Sequence, residues 1–147
     1  MRITGGCMDS RLDSGHCHDA LVHRLRSFGL LEDASISHQA ALHCNYMAAM
    51  NQEVEAPPHL LGEACHQTVL VTSIAEQSVD QAVDGILSEL TRKNPQLFNP
   101  KDTIDHEITR VGVGIKIGQE TYGRRQAYIT VRLAIDTSYL YPEVLFG

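Results

Sequence analysis

Apolar residues recur at helical spacing near the start of the chain. Leu21, Leu25 and Phe28 share one helical face, and Gly29 stands where a glycine commonly ends a helix. A second segment sets Ile36, Ala40, Cys44 and Met47 on one face, with Asp33 or Ser35 as its N-cap. The prolines of Gln52 to Pro58 (QEVEAPP) cannot continue that helix. Within Gly62 to Val71, the run Thr68-Val69-Leu70-Val71 reads as a strand or an extended lead-in. Ser73 followed by Glu76 has the form of a capping box. It predicts a third helix carrying Val79, Val83, Ile86 and Leu90 on one face and ending by Asn94-Pro95.

The period then changes from helical to alternating. Val111, Val113, Ile115 and Ile117 alternate with Gly112, Gly114 and Lys116. After a turn from Gly118 to Arg125, a second run places Ile129, Val131, Leu133 and Ile135 on one face, so Thr130 and Arg132 are expected to face outward. Gly112 and Gly114 lie inside a strand with no helix following. They therefore predict close packing of another element over the strand, not a nucleotide loop. The order α, α, β, α, β, β defines an α+β class. Residues 1–17 lack periodicity and are expected to form a loose arm, with 18–147 as a single domain. The tail DTSYLYPEVLFG has enough apolar residues to dock back.

Charge narrows the partners. A net charge of −6 with no basic cluster beyond Arg124-Arg125 excludes a nucleic-acid partner, which needs a basic face; that arginine pair reads as solvated at a hairpin tip. No apolar run reaches the roughly 18 residues of a membrane span. The opening MRITGGCMDS lacks the apolar core of a signal peptide, so a cytoplasmic location is expected unless a leader precedes this chain. Cys7, Cys17, Cys44 and Cys65 allow two disulfides in three connectivities, although Cys44 on a core face reads as a buried thiol. Gly15-His16-Cys17-His18 has consecutive ligands and no spaced second half, unlike a zinc site. His38, His43 and His66 read as boundary residues beside apolar positions.

The opening resembles that of the CAP superfamily, the cysteine-rich secretory, antigen-five and pathogenesis-related proteins with an SCP-like domain. The resemblance rests on His23 and Arg26, Gly29-Leu30, and Ala40-Ala41 through Met47-Ala48. It continues through Gly62-Glu63, Ala75-Glu76 to Ala82-Val83, Leu97-Phe98-Asn99-Pro100, Val111-Gly112-Val113-Gly114 and Tyr128 to Ala134, covering roughly residues 18–135. It implies a three-layer α-β-α sandwich with a small antiparallel sheet between helices, and an extracellular or cell-envelope location for a chain with a leader. It also implies a cleft holding His59, Glu63, Glu89 and His106. The sequence departs from the family pattern in four places, the first being that Pro57-Pro58-His59 stands unusually close to Gly62. Ala64 replaces an asparagine, the chain has no tryptophan, and Lys93 or His106 stands for the second site histidine.

Those residue types suit metal chemistry. Two imidazoles, His59 and His106, with carboxylates from Glu63 and Glu89, are ligands for Zn²⁺ that leave a place for water. A carboxylate would then serve as base, making Glu63 and Glu89 the catalytic candidates. The equal alternative for Glu63 is a buried structural carboxylate. No nucleophile elbow, phosphate loop or His-Glu-x-x-His motif is present. The leading expectation is a non-catalytic binding module whose central cleft takes a small apolar ligand, a lipid or a partner protein. Its alternatives are a metal-dependent hydrolase and a cytoplasmic interaction domain with a vestigial cleft. Oligomeric state is left open.

Overall fold

Asp13 starts the first helix, its carboxylate accepting from the backbone N–H of His16 at 2.8 Å. The computed structural model describes residues 12–62, 64, 66–75, 77–95 and 109–135. Helix α1 spans Ser14–Arg26, strand β1 Leu30–Glu32 and helix α2 Ala34–Met50. A short 3-10 turn at Pro58–Leu60 leads to β2, His66–Ala75. Helix α3 spans Val79–Lys93, and a hairpin of β3 (Thr109–Ile117) and β4 (Arg124–Ile135) follows. The loose arm expected over residues 1–17 does not describe its last residues: α1 begins at Ser14, and Leu12 and Cys17 are buried in the core, while residues 1–11 lie outside the described residues.

The sheet order is β1-β3-β4-β2. Three of the strands are antiparallel to their neighbours, and β1 joins the edge in parallel with β3, pairing Leu30 with Thr109. The sheet is therefore mixed, because the Gly29-Leu30 region supplies a strand as well as a turn. Gly29 provides the bend with a φ of +88°, a conformation that costs glycine little.

Each face of the sheet has its own cover. Val111, Val113, Ile115, Ile129, Val131 and Leu133 bury against Leu21 and Leu25 of α1 and Val83, Ile86 and Leu90 of α3. Each such side chain contributes about 1.5–3 kcal/mol by leaving water. On the other face, Cys44 and Met47 of α2 pack on Val69 and Tyr128. This gives the three-layer α-β-α arrangement of the α+β class. Ile36, Ala40, Cys44 and Met47 are all buried, as their spacing predicts.

Closeness on the α2 face comes from the two glycines. A Cβ built on Gly112 would lie 2.3 Å from Ile36 Cγ2, and one on Gly114 would lie 2.4 Å from the Ala40 carbonyl carbon. The helix backbone thus sits directly on the strand. This placement overturns the expected orientation of β4: Thr130 and Arg132 do not face outward but are 0% and 3% exposed, because α2 covers their side of the sheet.

Two further expectations are corrected. The capping box of α3 is Ser78 with Gln81, not Ser73 with Glu76. Ser73 lies within β2, which pairs with β4 over its whole length, and a ten-position ladder outweighs one cap. Arg124 and Arg125 are not simply solvated: Arg124 donates to Ser73 Oγ at 2.7 Å and Arg125 to the Leu12 carbonyl at 2.8 Å.

Candidate functional site

His59 occupies the 3-10 turn, exposed, opposite the first turns of α2. Proline at 57 and 58 turns the chain here, and Asp33 fixes the facing helix end by accepting from the N–H groups of Ser35 and Ile36 at 2.9 and 3.2 Å. Between them lies a groove of about 470 Å³ lined by Ser35, Ile36, Gln39, His59, Leu60, Leu61 and Gly62. Leu60 is 58% exposed on its rim, an apolar side chain left facing solvent. Its lining is shared about equally between apolar side chains (Ile36, Leu60, Leu61) and polar ones (Ser35, Gln39, His59), where the usual small-molecule site is mostly apolar.

Glu89 lies elsewhere. It faces a groove of about 300 Å³ between α3 and β2, beside Gln81, Gly85 and Arg124, and it pairs with Arg92 one helical turn away. As α2 and α3 cover opposite faces of the sheet, the structure does not bring His59 and Glu89 together. Glu63 and His106 lie outside the described residues. Among the described residues no group of three or more His, Cys, Asp or Glu side chains is arranged to hold a metal. Lys93 donates to Glu53 and to the Val69 carbonyl, both at 2.5 Å, and so ties α3 to the edge strand.

The polar groups beside α2 form a bracing network. His18 Nε2 lies 2.9 Å from Glu32 Oε2, which also accepts from Ser37 Oγ at 2.5 Å. Ser37 Oγ in turn accepts from the Val113 N–H at 2.9 Å, joining α1, β1, α2 and β3. Asp33 adds an ion pair with Arg110 at 2.7 Å. Its carboxyl is held below the ordinary value first by the Ile36 N–H, then by Arg110 and the Ser35 N–H, against an opposing effect of burial. His16 and His18 turn away from Cys17: His16 pairs with Asp13, while Cys17 is fully buried.

Cys17 and Cys44 are both free thiols. Burial pushes each up to about 11, and Cys44 donates to Thr130 Oγ1 at 3.3 Å. The buried-thiol reading of Cys44 holds, whereas Cys7 and Cys65 fall outside the described residues. His43, read as a boundary residue, donates from Nε2 to the Val54 carbonyl at 2.5 Å and stacks on Tyr46.

Sequence reasoning missed a groove of about 560 Å³ beside the β3–β4 turn, lined by Asn51, Thr121, Tyr122, Arg124 and Tyr128. Its one signal is the aromatic pair, Tyr122 exposed and Tyr128 donating to Asn51 Oδ1 at 2.7 Å. Asn51 takes a left-handed conformation at the end of α2, as the second most tolerant residue type after glycine does.

Compared with protein-family models and with curated protein sequences, the chain matches none. Among the described residues, no helix is long and apolar enough to cross a membrane.

Proposed function

We propose that this chain is a CAP-like binding module whose cleft takes a small apolar ligand, a lipid or an apolar segment of a partner protein. The observation that carries the reading is the His59 groove, where exposed Leu60, half-buried Leu61 and Ile36 supply apolar surface and Ser35, Gln39 and His59 supply polar groups to orient a ligand, in about equal share. The layer order, with the second helix resting on paired strand glycines, supports the same reading. Leu60→Asp tests it, because an exposed rim residue can change with little cost to folding. Affinity for an uncharged apolar probe such as n-octanol is expected to fall at least tenfold while Tm holds. Unchanged affinity would remove the groove as the site.

The hydrolase alternative asks His59 and Glu89 to share one centre, and these residues line separate grooves. Calorimetric zinc titration distinguishes the two. One-to-one binding lost in both His59→Ala and His106→Ala would favour the hydrolase, and binding indifferent to both substitutions would favour the module.

A further inference from the structure

Tyr122 and Gly123 are the central residues of the turn between β3 and β4, closed by the pairing of Thr121 with Arg124. Both take positive φ, +56° and +77°. Such a turn favours asparagine followed by glycine, and a bulky ring on that backbone is strained. Burial does not offset the strain, since Tyr122 is 99% exposed. An aromatic side chain held at a conformational cost and facing only water is an outlier that points to function. Among the described residues, Asn51 and Tyr122 are the two non-glycine residues with positive φ, and both border one groove of about 560 Å³.

The lining of that groove has a marked chemistry. No aliphatic side chain contributes to it. Asn51, Ser73, Gln119, Thr121 and Gln126 bring neutral hydrogen-bonding groups, and Tyr128 brings a second ring. Tyr128 donates its hydroxyl to Asn51 Oδ1 at 2.7 Å, so the Asn51 amide nitrogen is left to donate elsewhere. The charge is one-sided: no acid lines the groove, although the chain as a whole carries −6. Arg124 donates from Nε and Nη2 to the hydroxyl and carbonyl oxygens of Ser73, at 2.7 and 2.8 Å. These bonds fix the guanidinium and leave its Nη1 and one Nη2 hydrogen for an acceptor. Arg125 lines the groove as well, but its side chain is tied to the Leu12 carbonyl.

We infer that this groove binds a sugar acid, a pyranose ring bearing a carboxylate. The C–H face of such a ring stacks on an exposed tyrosine, whose flat surface is apolar while its hydroxyl stays wet. Its hydroxyls match the amides and hydroxyls of the lining, and its carboxylate matches the guanidinium of Arg124. A hydrocarbon finds no matching wall here, and a neutral sugar leaves the arginine unused. The inference is independent of the His59 groove, which lies at the other end of α2. A free sugar acid and the end of an acidic glycan share this chemistry.

The test is a nuclear magnetic resonance titration of the labelled full chain with glucuronate, with glucose and acetate as controls at matched ionic strength. Saturable shifts are expected on Asn51, Gln119 and residues 121–126, and each control should bind about tenfold more weakly or less. Tyr122→Asn gives the turn a residue that accepts its backbone, so Tm should hold or rise while glucuronate affinity falls about tenfold or more. Arg124→Gln should bind glucuronate no better than glucose. A hyaluronan tetrasaccharide separates the two sources: tighter binding than glucuronate assigns the groove to a glycan end, and equal or weaker binding assigns it to the free acid. The inference is overturned if glucuronate gives no saturable shifts at these residues, or if glucose or acetate binds as tightly. It is equally overturned if glucuronate binding survives Tyr122→Asn or Arg124→Gln unchanged.

Discussion

Ala40 of α2 rests on Gly114 of β3 so closely that a Cβ on the glycine would stand 2.4 Å from both the carbonyl carbon and the oxygen of Ala40. The obstacle is backbone, which cannot rotate aside as a side chain would. Gly114→Ala must therefore lift α2 from the sheet or bend the strand, at a cost of about 3 kcal/mol, the upper end for overpacking. Denaturant unfolding measures this. A loss below about 0.5 kcal/mol would show that helix and strand are not in contact at this point.

Asp33 joins the start of α2 to Arg110 of β3 and should govern part of the acid stability. Its folded-state value lies below the ordinary 3.8, owing first to the Ile36 N–H and then to Arg110. The group therefore stabilises the fold fully above its unfolded value, and that stability is lost as pH falls through the folded value. Asp33→Ala is expected to cost about 1–2 kcal/mol at pH 7. The difference from wild type should shrink as the pH drops below about 4. Equal losses at pH 7 and pH 2.5 would contradict this account of the carboxylate.

Cys17 and Cys44 should be inert in the folded chain. Both thiols are pushed up to about 11 and are buried, so at pH 8 roughly one in a thousand is thiolate. Brief iodoacetamide treatment followed by peptide mapping should leave both unmodified in native protein and label both in denaturant. Rapid native labelling of Cys44 would show that α2 opens from the sheet.

The helices were legible because each has one wet side. Leu21 and Leu25, Ile36 to Met47, and Val83 to Leu90 mark faces that are buried in the structure. The glycines of β3 announced a close approach, and α2 is what approaches. The alternation along β4 misled for a related reason. A polar residue opposite an apolar one suggests a wet face, yet Thr130 and Arg132 lie beneath a helix that Gly112 and Gly114 allow to sit low on the sheet. Strand β1 has three residues and no periodicity, and its pairing with β3 joins positions far apart in sequence, so no local signal revealed it. The site was legible only as a set of residue types. Spacing cannot tell which face of a sheet a residue will reach, and His59 and Glu89 are set apart by that alone.

The central claim is that the groove between His59 and the start of α2 receives an apolar ligand. Nuclear magnetic resonance titration of the labelled chain with n-octanol tests it most directly. Saturable shifts concentrated on Ser35, Ile36, Gln39 and residues 59–62, and lost in Leu60→Asp, are the predicted result. Shifts that are absent, or that gather at the Tyr122–Tyr128 groove or the Glu89 groove, would contradict it.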